Sequence, residues 1–260
     1  MKIIMYQVDA FTNELFKGNP AAVCLTEEPL SVDLMHKLAV ENNLSETAFV
    51  YPEGENYHVR WFTPEVEIDL CGHATLATAY ALFSERDKDK TSLTFTIEQG
   101  EPITVTREGA YLTLTFPVRQ GASIPPREDI AEVLGGKPLE FYASRDIMVV
   151  YGSQEEVAAL QPEATKLFNL DAFGIIATAP GTNVDFVSRY FAPGCGVYED
   201  PATGSSHCTL VPYWAQRLKK TVMVDCQLSK RQGIFHCELK DDQIYIKGES
   251  VTLFKTEFEL

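Results

Sequence analysis

The triplet Cys71-Gly72-His73 sits in the stretch RWFTPEVEIDLCGHATLATAYALF, residues 60–83, between a short extended run and an apolar, helix-like one. A thiol and an imidazole at the mouth of a helix can move protons or hold a metal. Glycine at a helix start leaves backbone N–H groups free where the helix end is partly positive, which suits an anionic group such as a carboxylate. His73 falls one residue inside, where the dipole lowers imidazole basicity and favours the neutral form, so it could polarise a substrate oxygen or relay a proton. A histidine capping its own helix is the plainer alternative. A second glycine-started run, EDPATGSSHCTLVPYWAQRL, residues 199–218, sets Asp200, Gly204, Ser205, His207 and Cys208 in a similar place. A zinc site joining Cys71 and His73 to His207 and Cys208 lacks the usual ligand offsets, and no metal is expected.

The elements that must position these residues are mostly strands. Period-2 runs such as KIIMYQVDAF, TAFVYP, YHVRWF, SLTFTIEQG, YLTLTFP, IMVVYG, FGIIATA, DFVSRYF, IYIKGE and TLFKTEFEL are bounded by Gly, Pro and Asn. Helices are expected over 32–42 after Ser31, 127–134 after Pro126 and 154–160 after Ser153, with two longer ones from Gly72 and Gly204. The helix from Gly72 carries Ala and Leu on nearly every face, which fits a helix sheathed by strands. RWFTP at 60–64 and RYFAP at 189–193 lie 129 residues apart, and each leads through a short loop into a glycine-started helix. The halves therefore read as a duplication, the second loop being three residues longer.

At 260 residues the chain suits two lobes of about 130 residues. A net charge of −15 argues against a nucleic-acid partner, and no apolar run is long enough to span a bilayer. The N-terminal MKIIMYQVDAF alternates like a strand and soon meets Asp9 and Glu14, so it is not a signal peptide, and a cytoplasmic protein is the expectation. The six cysteines have irregular spacings without a CxxC pair and read as reduced thiols.

GNPAAVCL (18–25), NNLSETAFV (42–50), DLCGHATLATAYAL (69–82) and EDPATGSSHCTL (199–210) together resemble the phenazine-biosynthesis PhzF-like isomerase family. The resemblance implies an α+β, diaminopimelate-epimerase-like fold. Two pseudo-symmetric lobes, 1–118 and 119–260, would each wrap a barrel-like, mostly antiparallel sheet around a central helix, with the C-terminal strand able to return to the first lobe and the active site in the cleft between them. It puts the family's acid/base carboxylate at Glu46, its histidine at His73 and its aspartate at Asp200, with Ser205, Ser45, Gly72 and Gly204 binding substrate. It implies cofactor-free proton transfer on a small carboxylated, amino-acid-like substrate, and a homodimer.

The residues bear this reading to different degrees. Glu46 opens the apolar run TAFVY, where partial desolvation would favour a general base; on pattern alone a surface carboxylate is the simpler reading. Asp200, before Pro201, could hold His73 or a substrate amine, or simply shape a turn. Ser205 is on pattern an ordinary cap. Racemases and epimerases of this fold use two cysteines facing one carbon. Cys71 matches one, but DPATG puts Pro201 where the other should stand, and Cys208, seven residues deeper, is about 10 Å away along a helix. A buried, neutral Cys71 is therefore expected. A two-base racemase using Cys71, and a binding protein without catalysis, are the alternatives.

Overall fold

The structure, a computed structural model, describes residues 2–260. The chain divides into two compact units, one formed by residues up to Thr115 with Lys247–Leu260, the other by Phe116–Ile246. Among the described residues no helix is long and apolar enough to cross a membrane.

In the first unit the strands lie in the order Ser250–Glu259, Lys2–Ala10, Asn19–Leu25, Glu46–Glu53, Asn56–Phe62, Ser92–Thr96, Ile103–Glu108 and Tyr111–Pro117. Neighbours are antiparallel except at two places, Asn19–Leu25 beside Glu46–Glu53 and Asn56–Phe62 beside Ser92–Thr96. Parallel neighbours need a crossover, and a helix supplies each one. Helix α1, Val32–Asn42, makes the first; Ser31 Oγ accepts its Leu34 N–H at 3.3 Å, and Asn43 ends it in the left-handed conformation at φ 49°. Helix α2, Gly72–Glu85, makes the second.

The two helices occupy opposite faces. Met35 and Ala39 of α1 join Ile3, Cys24, Phe49 and Phe62 in one cluster, where the rings of Phe49 and Phe62 meet edge to face at 5.7 Å. Helix α2 is buried almost all round, from His73 to Ala79 and again at Ala81, Leu82 and Phe83, and packs on strands Lys2–Ala10, Asn19–Leu25, Glu46–Glu53 and Ser250–Glu259. Small alanines let those strands approach closely, so the sheet wraps the helix as its Ala/Leu composition predicts.

The second unit repeats the plan. Its strands run Ala122–Ser123, Glu140–Ala143, Ile147–Val150, Ile175–Pro180, Phe186–Ala192, Val222–Gln227 and Gly233–Lys240, again with two parallel neighbours, Ile147–Val150 beside Ile175–Pro180 and Phe186–Ala192 beside Val222–Gln227. Helix α3, Glu128–Leu134, and the crossover helices α4, Gln154–Ala159, and α5, Ala164–Phe168, cover a core of Ile130, Phe141, Tyr151, Val157, Leu167, Ile175 and Phe191. Helix α6, His207–Leu218, is the inner crossover, preceded by a 3₁₀ turn at Gly204–Ser206. Pro212 inside α6 cannot donate to the Cys208 carbonyl, and the Arg119 N–H takes that acceptor at 2.9 Å. Trp214 Nε1 donates to Thr178 Oγ1 at 2.9 Å, and its ring stacks on Phe186 at 5.5 Å.

Candidate active site

Glu46 is the first residue of its strand, paired in parallel with Ala21, while the antiparallel neighbour begins one residue later at Thr47 opposite Phe62. The turn before it is set by the left-handed Asn43 and by Asn42 Nδ2 donating to Thr47 Oγ1 at 3.1 Å. Half-buried Ser45 immediately precedes it. The Glu46 carboxylate, 16% exposed, lies 2.9 Å from Nε2 of His73, whose side chain is 6% exposed. Neither atom is aligned for a hydrogen bond, and the two stand within ion-pair distance.

Cys71 is the N-cap of α2, with extended backbone and no side-chain cap bond, and Gly72 opens the helix. The Cys71 Sγ lies 3.5 Å from Nδ1 of His73, so the ring stands between a thiol and a carboxylate. Burial disfavours a charged imidazole, but the Cys71 sulfur that accepts from the ring and the charge of the Glu46 carboxylate act the other way and raise the His73 pKa above the ordinary histidine value. A carboxylate in contact thus acts against the lowering that the helix dipole alone would give. Burial, and then the Glu46 charge, push the Cys71 thiol up, as expected of a neutral thiol. The donor atoms of Glu46, Cys71 and His73 lie within 4.8 Å of one another.

In the second unit Asp200 ends a short strand and accepts a hydrogen bond from the Thr203 hydroxyl, the turn-forming arrangement. Within its own unit, His73 has Nε2 facing Glu46 and Nδ1 facing Cys71. The Gln227 amide clamps the turn: its Oε1 accepts the Thr203 N–H at 2.8 Å and its Nε2 donates to the Asp200 carbonyl at 2.6 Å. Gly204 is buried, and half-buried Ser205 accepts a hydrogen bond from Arg145 Nη2 at 3.1 Å. Arg145 also forks onto buried Asp146 at 3.2 and 2.9 Å and lies over the Phe173 ring. His207 is spent on structure: Nδ1 faces the Thr203 carbonyl and Nε2 faces Asp225 Oδ2, each at 3.0 Å.

The duplicated segments carry the same ion pair. Arg60 forks onto Glu67 with both bonds at 2.7 Å, and Arg189 onto Glu199 at 2.6 and 2.9 Å. Each guanidinium also lies over a phenylalanine two residues on, Phe62 and Phe191. Counted from these glutamates, Gly72 and Gly204 stand at the same place, each five residues on. Phe62 faces Thr47 and Phe191 faces Ile175, so the residue before Ile175, Gly174, takes the place of Glu46. A Cβ at Gly174 would collide with the Tyr190 hydroxyl and lie 2.7 Å from Asp146 Oδ1. The residue at this place in the second copy therefore carries no carboxylate of its own, and the space beside it is filled by Asp146 and Tyr190.

Comparison with known proteins adds lineage to this geometry. An uncharacterized isomerase of Pseudomonas aeruginosa is 44% identical, covering 96% of each chain. A crystal structure of a PhzF-family phenazine biosynthesis protein from Enterococcus faecalis superposes with a TM-score of 0.97 at 45% identity, covering 100% of both chains. A predicted epimerase of Pseudomonas aeruginosa shares the fold, with a TM-score of 0.75 at 19% identity, covering 98% of this chain and 99% of that one. Residues 8–256 match the family described as "Phenazine biosynthesis-like protein", PhzC-PhzF, and to that family the chain belongs.

Proposed function

We propose that this chain is an isomerase that moves a carbon-bound proton within a small carboxylated substrate, with Glu46 as the acid/base group. The observation that carries the reading is the Glu46 carboxylate, mostly buried and held 2.9 Å from His73 at the head of α2. A relative 44% identical is named an isomerase, which supports the reaction class.

Removing a proton next to a carboxylate leaves negative charge on the substrate. Glu46 takes the proton, the charge spreads into the conjugated system, and Glu46 returns a proton at a second carbon. His73 orients the carboxylate and supplies positive charge beside the developing anion. Ser45 and the backbone N–H groups at Gly72 bind the substrate carboxylate. The family resemblance assigns Asp200 to the reaction and Gly204 and Ser205 to substrate binding.

The test is a solvent-deuterium exchange screen over small cyclic and amino carboxylates, comparing wild type with Glu46→Gln. Exchange falls by about 10²–10⁴-fold in the variant, with the fold intact. Wild-type exchange in the variant overturns the assignment.

A two-base racemase would need a second thiol. The family pattern puts Pro201 in its place, and Thr203 heads the second helix where Cys71 heads the first. Neither residue can serve as a thiol base.

A further inference from the structure

Ser205 follows Gly204 as His73 follows Gly72, so the duplication sets these two side chains in equivalent places. His73 meets a carboxylate there, Glu46, whereas Ser205 meets a guanidinium: Arg145 Nη2 donates to its Oγ at 3.1 Å. We propose that Arg145 and the Ser205 hydroxyl together bind a carboxylate of the substrate, so that the second copy recognises charge where the first moves protons. This rests on the reading of Ser205 as a substrate contact.

The ion pair of Arg145 and Asp146 is turned with its positive end outward. The Asp146 side chain is 1% exposed and that of Arg145 34%. Asp146 is occupied from behind: Oδ1 accepts the Tyr190 hydroxyl at 3.0 Å and Arg145 Nε at 3.2 Å, and Oδ2 accepts Nη2 at 2.9 Å. Because Nε and Nη2 fork onto Asp146, the second Nη2 hydrogen lies on the end edge of the guanidinium, parallel to a hydrogen of Nη1. Ser205 takes the Nη2 hydrogen. The Nη1 hydrogens have no acceptor among the described residues, and one of them points past the Ser205 oxygen. Ser205 Oγ accepts from the guanidinium, so its own proton is left to be donated, and no described residue takes it. Two donors side by side, one of them charged, match the two oxygens of a carboxylate. The fork on Asp146 and the Phe173 ring 5.0 Å away hold the guanidinium in place, so little freedom is lost on binding. Arginine keeps its proton in proteins, so the group binds charge and does not exchange protons.

Benzoate is the probe and benzamide its neutral match. In proton–nitrogen correlation spectra of the whole chain, benzoate is expected to shift the Gly204–Ser206 amides along a saturating curve, and benzamide at equal concentration is not. Arg145→Gln alone would leave Asp146 buried without its counter-charge, so it is combined with Asp146→Asn, which removes both charges together. Benzoate affinity read at these amides is expected to fall at least about tenfold in the double variant, the usual scale of a lost hydrogen bond to a charged group. Ser205→Ala leaves the ion pair in place, is expected to fall by about the same factor, and gives the reading should the double variant not fold, which circular dichroism establishes. Unchanged affinity in a folded variant overturns the proposal, as does an equal response to benzamide or no saturating shift in wild type. Inorganic phosphate is expected to be the weaker ligand, and tighter binding of phosphate overturns the carboxylate assignment. Glu46→Gln is expected to keep the benzoate response, so failure of the proton-transfer reading and failure of this subsite are read in separate variants.

Discussion

The carboxylate of Glu46 meets Nε2 of His73 at 2.9 Å, joining the first residue of a strand to the first turn of the helix inside that strand's sheet. Neither end of this contact has slack, because Glu46 is fixed by its pairing with Ala21 and His73 by the burial of α2.

Glu46→Asp is therefore expected to cost nearly as much as the amide. The carboxylate is kept but drawn back by one methylene, out of contact with His73, and a displacement of about 1 Å at a reacting group costs on the order of 10²-fold. Exchange measured beside Glu46→Gln checks it; near-wild-type turnover would show that position is not critical.

Cys71→Ser is expected to keep proton exchange within about tenfold of wild type, since the second copy offers no partner thiol and a serine hydroxyl can still face His73 Nδ1. Complete loss in a folded variant would favour the thiol mechanism.

Gly174→Ala is expected to destabilise the protein by about 1–3 kcal/mol, the usual cost of forcing an added methyl into packed surroundings. The added methyl meets the Tyr190 hydroxyl, which cannot swing away because it donates to Asp146 Oδ1 at 3.0 Å in a buried setting. Urea denaturation of the two proteins reads the difference.

Glu85, near the C-terminus of α2, accepts from Lys255 Nζ at 2.7 Å and from the Tyr6 hydroxyl, and these partners hold its carboxyl below the usual range. A depressed folded value stabilises the protein above the unfolded pKa, about 4.3, and that stabilisation is lost as pH falls through the folded value. Glu85→Gln should flatten the acid side of the stability curve, changing it by at most about 1 kcal/mol because the pair is partly solvated. An unchanged acid limb would mean the pair contributes nothing.

Much of the architecture could be read in the sequence because local signals and packing agree. Ser31 before an amphipathic run fixes α1, and the all-round Ala/Leu character of 72–83 marks a helix enclosed by strands. Asn19–Leu25 escaped because NPAAVCL does not alternate, and α5 because five residues carry no measurable period. Val222–Gln227 was missed because its buried face carries Asp225 and Gln227 while Val222 is exposed, which inverts the usual apolar-in pattern. Arg145 had no sequence signal, since its hydrogen bond to Ser205 spans sixty residues. The contact of His73 with Glu46 was hidden for the same reason: the carboxylate is brought there by strand register and not by spacing. A fixed 129-residue offset would even set Ile175 opposite Glu46. The second hairpin is one residue longer between its paired ends, which moves Gly174 into that position.

The use of one carboxylate bears on the stereochemistry of the proposed reaction. If Glu46 both takes the proton and returns it, as proposed above, abstraction and delivery fall to the same group on the same side of the substrate plane. The transfer would be suprafacial, and a deuteron lifted from one carbon could be handed to the next before solvent replaces it. Substrate labelled at the abstracted position and turned over in ordinary water should then yield product that retains part of its label, whereas two opposed bases would wash it out completely.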